Sequence, residues 1–229
     1  MIKSVVWSSM IDYPKQTSTV LFVGVCNWNC EFCHNKTISN LQSIDFGKDI
    51  LPKLIERQKL INHVVISGGE CTDWTGIWEV VCKLKSHGFK VGIHTNGNNH
   101  CALSIFLETL KHLDLLDFVG MDIKTSLNNP NKYNDITQCD VNIDLLKESI
   151  STIVNSGVEY EFRTTLFPKH VDINDCVNIA KYLASKNVKE YYLQQFDDSV
   201  VKTGVKPYSK NILNKIQKEC NNYLYTYIK

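Results

Sequence analysis

Thr19-Val20-Leu21-Phe22-Val23-Gly24-Val25 runs directly into Cys26-Asn27-Trp28-Asn29-Cys30-Glu31-Phe32-Cys33. The first segment is aliphatic, β-branched and aromatic, the composition of a buried strand. The second places three thiols in one short loop, spaced C-x3-C-x2-C. Three is an unusual number for a metal site. A closed structural zinc site takes four ligands, and ferredoxin-type clusters take four cysteines. Three thiolates leave one metal position open, and an open position is where chemistry can happen.

Outward from this stretch the chain alternates. Strand-like runs cover residues 19–25, 63–67, 89–94, 118–123, 158–165 and 188–196. Helical patterns cover residues 48–58, 75–87, 101–112, 142–155, 172–185 and 209–221. Strands separated by helices of this length imply βαβ units and a parallel sheet. Six units are too few for a closed eight-fold barrel, so the expected fold is α/β, a partial, open (β/α)6 barrel. A short extra strand is expected near Val5, and the tail over residues 223–228 packs as a last strand or covers an edge. There is no internal linker, low-complexity stretch or repeat, so residues 1–229 read as a single domain.

Composition narrows the function classes. Hydrophobic residues at 43% and charged residues at 21% are ordinary for a chain with a buried core. A net charge of +1 argues against a nucleic-acid footprint, and the lysines are too scattered for a polybasic membrane patch. No apolar stretch approaches the ~20 residues that a helix needs to cross a bilayer. The N-terminus lacks the apolar core and cleavage site of a leader, so the expected location is the cytoplasm. Nine cysteines there point to metal ligands or buried thiols rather than disulfides. Arginine occurs only at Arg57 and Arg163, which singles out Arg163 inside a strand-like run.

The unusual polar residues fall at strand ends. Cys26, Cys30 and Cys33 follow the first strand, and Gly68-Gly69-Glu70 follow the second. His94-Thr95-Asn96 end the third, Asp122 and Lys124 the fourth, and Gln194-Gln195 the sixth, while Arg163 lies in the fifth. In βα barrels the loops after the strand C-termini build the active site. Every polar cluster therefore converges on one rim.

The C-x3-C-x2-C loop resembles the signature of the radical S-adenosylmethionine (SAM) enzymes. That resemblance implies one [4Fe-4S] cluster on Cys26, Cys30 and Cys33, with SAM chelating the fourth iron. It implies reductive cleavage of SAM to a 5′-deoxyadenosyl radical that takes a hydrogen atom from the substrate. Phe32 matches the family's aromatic position near the adenine, and Ser67-Gly68-Gly69-Glu70 resembles the GGE motif that receives the SAM amino group. Glycines allow close backbone approach, and a carboxylate suits an ammonium.

Within the family, Cys33-His34-Asn35 is similar to the CHN extension of the activating enzymes of glycyl radical proteins. Ile11-Asp12-Tyr13-Pro14, Thr95-Asn96-Gly97, Asp122-Ile123-Lys124, Tyr160-Glu161-Phe162-Arg163-Thr164-Thr165 and Leu193-Gln194-Gln195-Phe196 also resemble theirs. Together they are most similar to the anaerobic ribonucleoside-triphosphate reductase activating proteins. The resemblance then implies that Phe32, Asn35, Gly68, Gly69, Glu70, Thr95, Asn96, Asp122, Lys124 and Arg163 contact SAM. It implies a glycyl radical protein as partner and an electron donor such as flavodoxin or ferredoxin. Three positions depart from the pattern: Lys15 replaces a usual glycine, His94 a frequent aspartate, and Cys71 a proline or small residue.

Other readings stand beside this one. The loop spacing alone also admits a zinc knuckle, with His34 or a distant residue as fourth ligand, in a non-catalytic adaptor. Gly68-Gly69-Glu70 alone reads as an ordinary strand-end turn. His94 is either a satisfied core residue or a site residue. Cys82, Cys101, Cys176 and Cys220 read as packing residues on helices. Radical chemistry could also act on a purine or pterin derivative or on a ribosomal peptide.

Overall fold

Among the described residues, eight strands pair in chain order into one sheet, from β1 to β8. They are β1 (Ile2–Tyr13), β2 (Gln16–Val23), β3 (His63–Gly68), β4 (Lys90–Thr95), β5 (Phe118–Asp122), β6 (Glu159–Leu166), β7 (Glu190–Gln195) and β8 (Tyr225–Ile228). The computed structural model describes residues 1–113 and 115–229, the side chains of residues 109–113 excepted. β1 is antiparallel to β2, and every later neighbour pair is parallel. The two end strands do not pair, so the sheet curls into an open, partial barrel.

Helices cover the outer face: α1 (Leu51–Arg57), α2 (Ile77–Ser86), α3 (His100–Leu113), α4 (Pro130–Thr137), α5 (Ile143–Ser156), α6 (Ile173–Ser185), α7 (Asp198–Val201) and α8 (Lys210–Cys220). Local chemistry starts them. Asp172 and Asp175 form a capping box on α6, and the Asn142 side chain accepts the main-chain N–H groups of Asp144 and Leu145 on α5. Outward-facing residues such as Val64, Ile66, Ile93, Val119, Phe162 and Leu193 join the helices in the main core.

The inner face divides along the strands. Near the strand starts Tyr13, Val20, Val65 and Phe118 form a small separate apolar cluster, joined by Phe22. This cluster plugs one end of the barrel. Further along the same faces stand Ser67, two residues beyond Val65, Asp122, four beyond Phe118, and, on β4, His94. Strand periodicity of two thus carries apolar residues to the plug and polar ones to the opposite rim.

Six parallel strands, β2 to β7, match the six expected from the sequence. The sheet adds two. The extra strand near Val5 is a full arm of 12 residues in a hairpin with β2, and the tail does form β8. The hairpin turn explains Lys15. Pro14 fixes a negative φ, and Lys15 takes φ 55°, the sign pattern of a type II turn. Helix α4 has no counterpart in the periodicity reading. Cys176 and Cys220 are buried on α6 and α8 as expected, but Cys82 and Cys101 lie exposed on their helices.

Candidate active site

A cavity of about 320 Å³ opens at the C-terminal rim of the sheet, within the ~300–1,000 Å³ range of ligand sites. Cys26, Cys30, Phe32, Cys33 and Asn35 line it from the loop after β2. Gly68 and Gly69 reach it from β3, and Thr95 and Asn96 from β4. Asp122 and Lys124 follow from β5, and Arg163 from β6. Of the thirteen residues expected from the sequence, Glu70 alone does not border the cavity.

The cysteine loop contains no regular helix or strand, so its neighbours hold it. The Asn29 N–H donates to the Thr137 carbonyl at 2.9 Å, and the Glu31 N–H to the Ile136 carbonyl at 3.3 Å, both at the end of α4. The Glu31 carboxylate meets Lys169 Nζ at 2.6 Å and His170 Nε2 at 2.9 Å in the loop after β6. Phe32 is buried against Phe167 and Phe196, with ring centroids 4.8 and 6.4 Å away. All three thiols are free of disulfides. Burial pushes the Cys26 thiol up to about 11 and raises Cys30, against the pull of the Lys124 ammonium. Metal binding at such thiols must displace protons.

The Gly68-Gly69 turn is fixed by contact. Gly68 has φ +113°, and a Cβ there would lie 2.4 Å from the Val23 carbonyl oxygen. A Cβ on Gly69 would lie 1.7 Å from the Val25 oxygen, one residue before Cys26. The Gly69 and Glu70 N–H groups donate to Val23 and Val25, so this turn continues the pairing of β3 with β2. Asn35 closes the other side by donating its side-chain amide to the Gly68 carbonyl at 2.7 Å.

Glu70 departs from the expectation that its carboxylate faces an ammonium. It is fully buried, and Oε1 accepts the Thr72 N–H at 3.0 Å, the Thr72 hydroxyl at 2.6 Å and the Thr95 hydroxyl at 2.7 Å. Oε2 accepts the Asn96 N–H at 2.6 Å. Burial pushes its pKa up, and these four donors pull it back. The side chain therefore clamps the end of β3 to the end of β4 behind the cavity wall. Asn96 in turn donates its side-chain amide to Asn27 at 2.8 Å, which carries the clamp to the cysteine loop.

The opposite wall is ionic. Asp122 accepts from Arg163 Nε at 2.9 Å and from Lys124 Nζ at 3.1 Å. Burial works against the Asp122 carboxylate, but the two cations outweigh it and hold its pKa well below the usual range. Burial likewise opposes the Lys124 ammonium, while Asp122 and Cys30 hold its pKa up. His94 stands beside Arg163, with Nη1 3.1 Å from its Nε2. His94 Nε2 lies 2.9 Å from the Asp12 carbonyl and Nδ1 3.2 Å from the Ser67 hydroxyl. A carbonyl can only accept, so the Asp12 contact calls for the proton on Nε2, and Nδ1, 3.4 Å from the donor-only Arg163 Nη1, is left to accept. Burial first, then the Arg163 charge, lowers its pKa to about 3, so the ring is neutral. Gly120 leaves room for this contact, since a Cβ there would lie 2.8 Å from His94 Cδ2.

Gln194, expected at this rim, borders the cavity, and so do Asp12, Phe22, Trp28 and Thr165, to which the sequence alone assigned no site role. Their shared signal is position: each lies on an inner strand face or in the loop that the cysteines mark. The donor set suits an iron–sulfur cluster. Three free thiols on one short loop border a cavity with room for more than the loop itself. Among the described residues, no three His, Cys, Asp or Glu side chains converge on a single ion. A cluster with one thiolate per iron does not require that convergence.

A partial barrel with an open three-cysteine corner on its rim defines a class, and residues 20–189 match the pattern of the Radical SAM superfamily. The chain belongs to that superfamily, is a radical SAM enzyme, and takes a [4Fe-4S] cluster and SAM as cofactors. Its relatives include the protein named "Putative glycyl-radical enzyme activating enzyme MJ1227" of Methanocaldococcus jannaschii. The two are 32% identical over 209 residues, 86% of this chain and 80% of that one. A second protein of that organism with the same description, MJ1632, is 30% identical over 73% of this chain and 62% of its own. The structure of Streptococcus suis SuiB bound to precursor peptide SuiA superposes with a TM-score of 0.72 at 14% identity. That likeness covers 92% of this chain and 48% of SuiB, and it bears on the fold.

Proposed function

We propose that this protein is an activating enzyme that generates a glycyl radical on a partner protein, with an anaerobic ribonucleotide reductase as the first candidate. The observation that carries the reading is the likeness, over most of both chains, to a relative whose name describes glycyl-radical enzyme activation. The CHN run at Cys33-His34-Asn35 supports it, because Asn35 holds the Gly68 carbonyl at the cavity wall. When bound and reduced, the cofactors supply one electron to the sulfonium of SAM, releasing methionine and a 5′-deoxyadenosyl radical that takes a glycine Cα hydrogen.

In this reading Cys26, Cys30 and Cys33 hold the cluster. Gly68 and Gly69 offer main-chain groups to the methionine part of SAM, and Asn35 fixes their turn. Lys124 and Arg163, already oriented by Asp122, provide cationic partners for its carboxylate. Phe32, Thr95 and Asn96 shape the walls, and Glu70 positions Thr95 and Asn96 from behind. A glycine has no side chain to block approach, so a peptide loop can enter through the gap between the unpaired edges of the sheet. A docked partner then excludes water from the radical. A one-electron donor such as flavodoxin or ferredoxin completes the reaction.

The test is anaerobic. Protein reconstituted with iron and sulfide, reduced and supplied with SAM and the candidate reductase, is expected to give a glycyl radical doublet by electron paramagnetic resonance. SAM cleavage with no glycyl signal, together with turnover of a purine, pterin or peptide substrate, would overturn the activase reading while leaving the family chemistry intact.

A further inference from the structure

Trp28 sits between Cys26 and Cys30 and borders the cavity. It is 7% exposed, and its ring packs edge-on against Tyr133 with centroids 5.9 Å apart. The indole Nε1 is buried and has no hydrogen-bond partner. A buried donor left unpaired is costly, and native structures rarely keep one without a reason. Among the described residues, four other side-chain atoms share this condition: Ser18 Oγ, Arg57 Nε, Tyr182 Oη and Tyr191 Oη. None of those residues borders this cavity. The cysteine loop thus holds an unused N–H beside the cavity.

We propose that the Trp28 indole N–H donates to a sulfur of the cluster and thereby raises the cluster's reduction potential. An indole N–H can only donate, and the sulfurs of a cysteine-held cluster are the acceptors that this cavity gains when it is filled. A donated hydrogen bond stabilises the reduced, more negative cluster more than the oxidised one. Phenylalanine would fill the same space against Tyr133, so the feature that tryptophan adds is the N–H. The proposal rests on the family's cluster and is independent of which substrate or partner the enzyme serves.

The experiment compares wild type with Trp28→Phe, both reconstituted anaerobically with iron and sulfide and studied without SAM. Iron and sulfide per chain report assembly, and electron paramagnetic resonance at a series of poised potentials reports the reduced fraction. The expected result is equal iron content and an about tenfold lower ratio of reduced to oxidised cluster at fixed potential. For a one-electron couple that is a shift of about 59 mV to more negative values. An unchanged midpoint at full iron content overturns the proposal. If the variant assembles poorly, wild type carrying ¹⁵N-indole tryptophan decides. The reduced cluster is expected to show ¹⁵N coupling and an exchangeable proton that D2O removes, and their absence overturns it. A wild-type chain that binds no iron overturns the cluster assignment and this proposal with it.

Discussion

Glu70→Gln separates a strut from a ligand. The wild-type carboxylate accepts four hydrogen bonds, three on Oε1 and one on Oε2. Glutamine has one acceptor oxygen and an NH2 group. With the amide oxygen at the Oε1 position, the NH2 confronts the Asn96 N–H across 2.6 Å, donor against donor. In the flipped orientation the NH2 faces the Thr72 N–H at 3.0 Å, although both hydroxyls can turn to accept. Either way one charge-assisted bond is lost and one main-chain N–H is orphaned in the core. A bond to a charged group is worth ~1.5–3 kcal/mol and an orphaned donor costs ~1–3 kcal/mol, and the two overlap, so the expected loss is about 3 kcal/mol. That is a large part of a typical stability of ~5–15 kcal/mol, and at ~2–4 °C per kcal/mol it lowers Tm by roughly 6–12 °C. The assay is urea unfolding of the metal-free, SAM-free chain under reducing conditions. A lower midpoint at unchanged slope is expected. Combining Glu70→Gln with Thr95→Val should cost less than the sum, because the pair shares one bond. An unchanged midpoint, with only SAM affinity reduced, would refute the reasoning and place the carboxylate on the ligand.

Three further outcomes follow from single positions. Gly69→Ala forces a Cβ to 1.7 Å from the Val25 carbonyl, so the turn must move. Iron uptake by the adjacent cysteines is expected to fall sharply, as measured by iron per chain after reconstitution, and wild-type uptake would contradict the contact. His94 gives a pH dependence. Its folded pKa of about 3 lies below the ordinary 6.5, so unfolded chains bind a proton that the folded protein refuses. The stabilisation is complete above pH 6.5 and drains as pH falls, with a limiting slope of ~1.4 kcal/mol per unit. Arg163, Asp122 and Asp12 face the ring, and over pH 5 to 6.5 His94→Gln is expected to flatten the slope of urea-derived stability. A wild-type slope in that variant would remove His94 as the cause. Lys15→Gly relieves a left-handed residue at a cost of ~1–2 kcal/mol but adds ~0.5–1 kcal/mol of chain entropy. A small net gain is expected in thermal unfolding, and a marked loss would mean that the lysine side chain matters to the hairpin.

The sheet was legible because its parallel strands are short apolar runs halted by Gly68, Asn96 or charged residues, a signal intrinsic to the chain. The arm β1 was not. Ile2–Tyr13 mixes Ser and Lys with apolar residues, and only pairing with β2 makes it a strand of that length. Helix α4 carries a start signal in Asn129-Pro130, with the Asn129 side chain accepting the Lys132 N–H. Its polar composition hides the buried Tyr133 and Ile136. The candidate site was legible as residue types at strand ends. The direction of a side chain was not: Glu70 follows two glycines at the rim, yet Thr72, Thr95 and Asn96 turn its carboxylate inward. Trp28 carries no signal of its role within the cysteine run, because an unpaired N–H is visible only once every neighbour has a position.

The cysteine loop shows why donor identity and donor geometry come from different parts of the chain. Its thiols are local in sequence, but the loop has no regular structure to orient them. Contacts with distant parts of the chain hold it instead. Asn29 and Glu31 bond to α4, the Glu31 carboxylate pairs with the loop after β6, Asn35 reaches Gly68, and Asn27 reaches Asn96. Several of these partners lie more than a hundred residues downstream, so the loop takes shape only as the barrel closes around it. The ordering entropy of the loop, of order 1–2 kcal/mol per residue, is then met during folding rather than when iron arrives. A site prepared in this way can hold three corners firmly while the fourth position faces the cavity. It follows that substitutions at Lys169 or His170, whose side chains hold Glu31 and touch neither metal nor substrate, should loosen the thiols more than a conservative change on the cavity wall does.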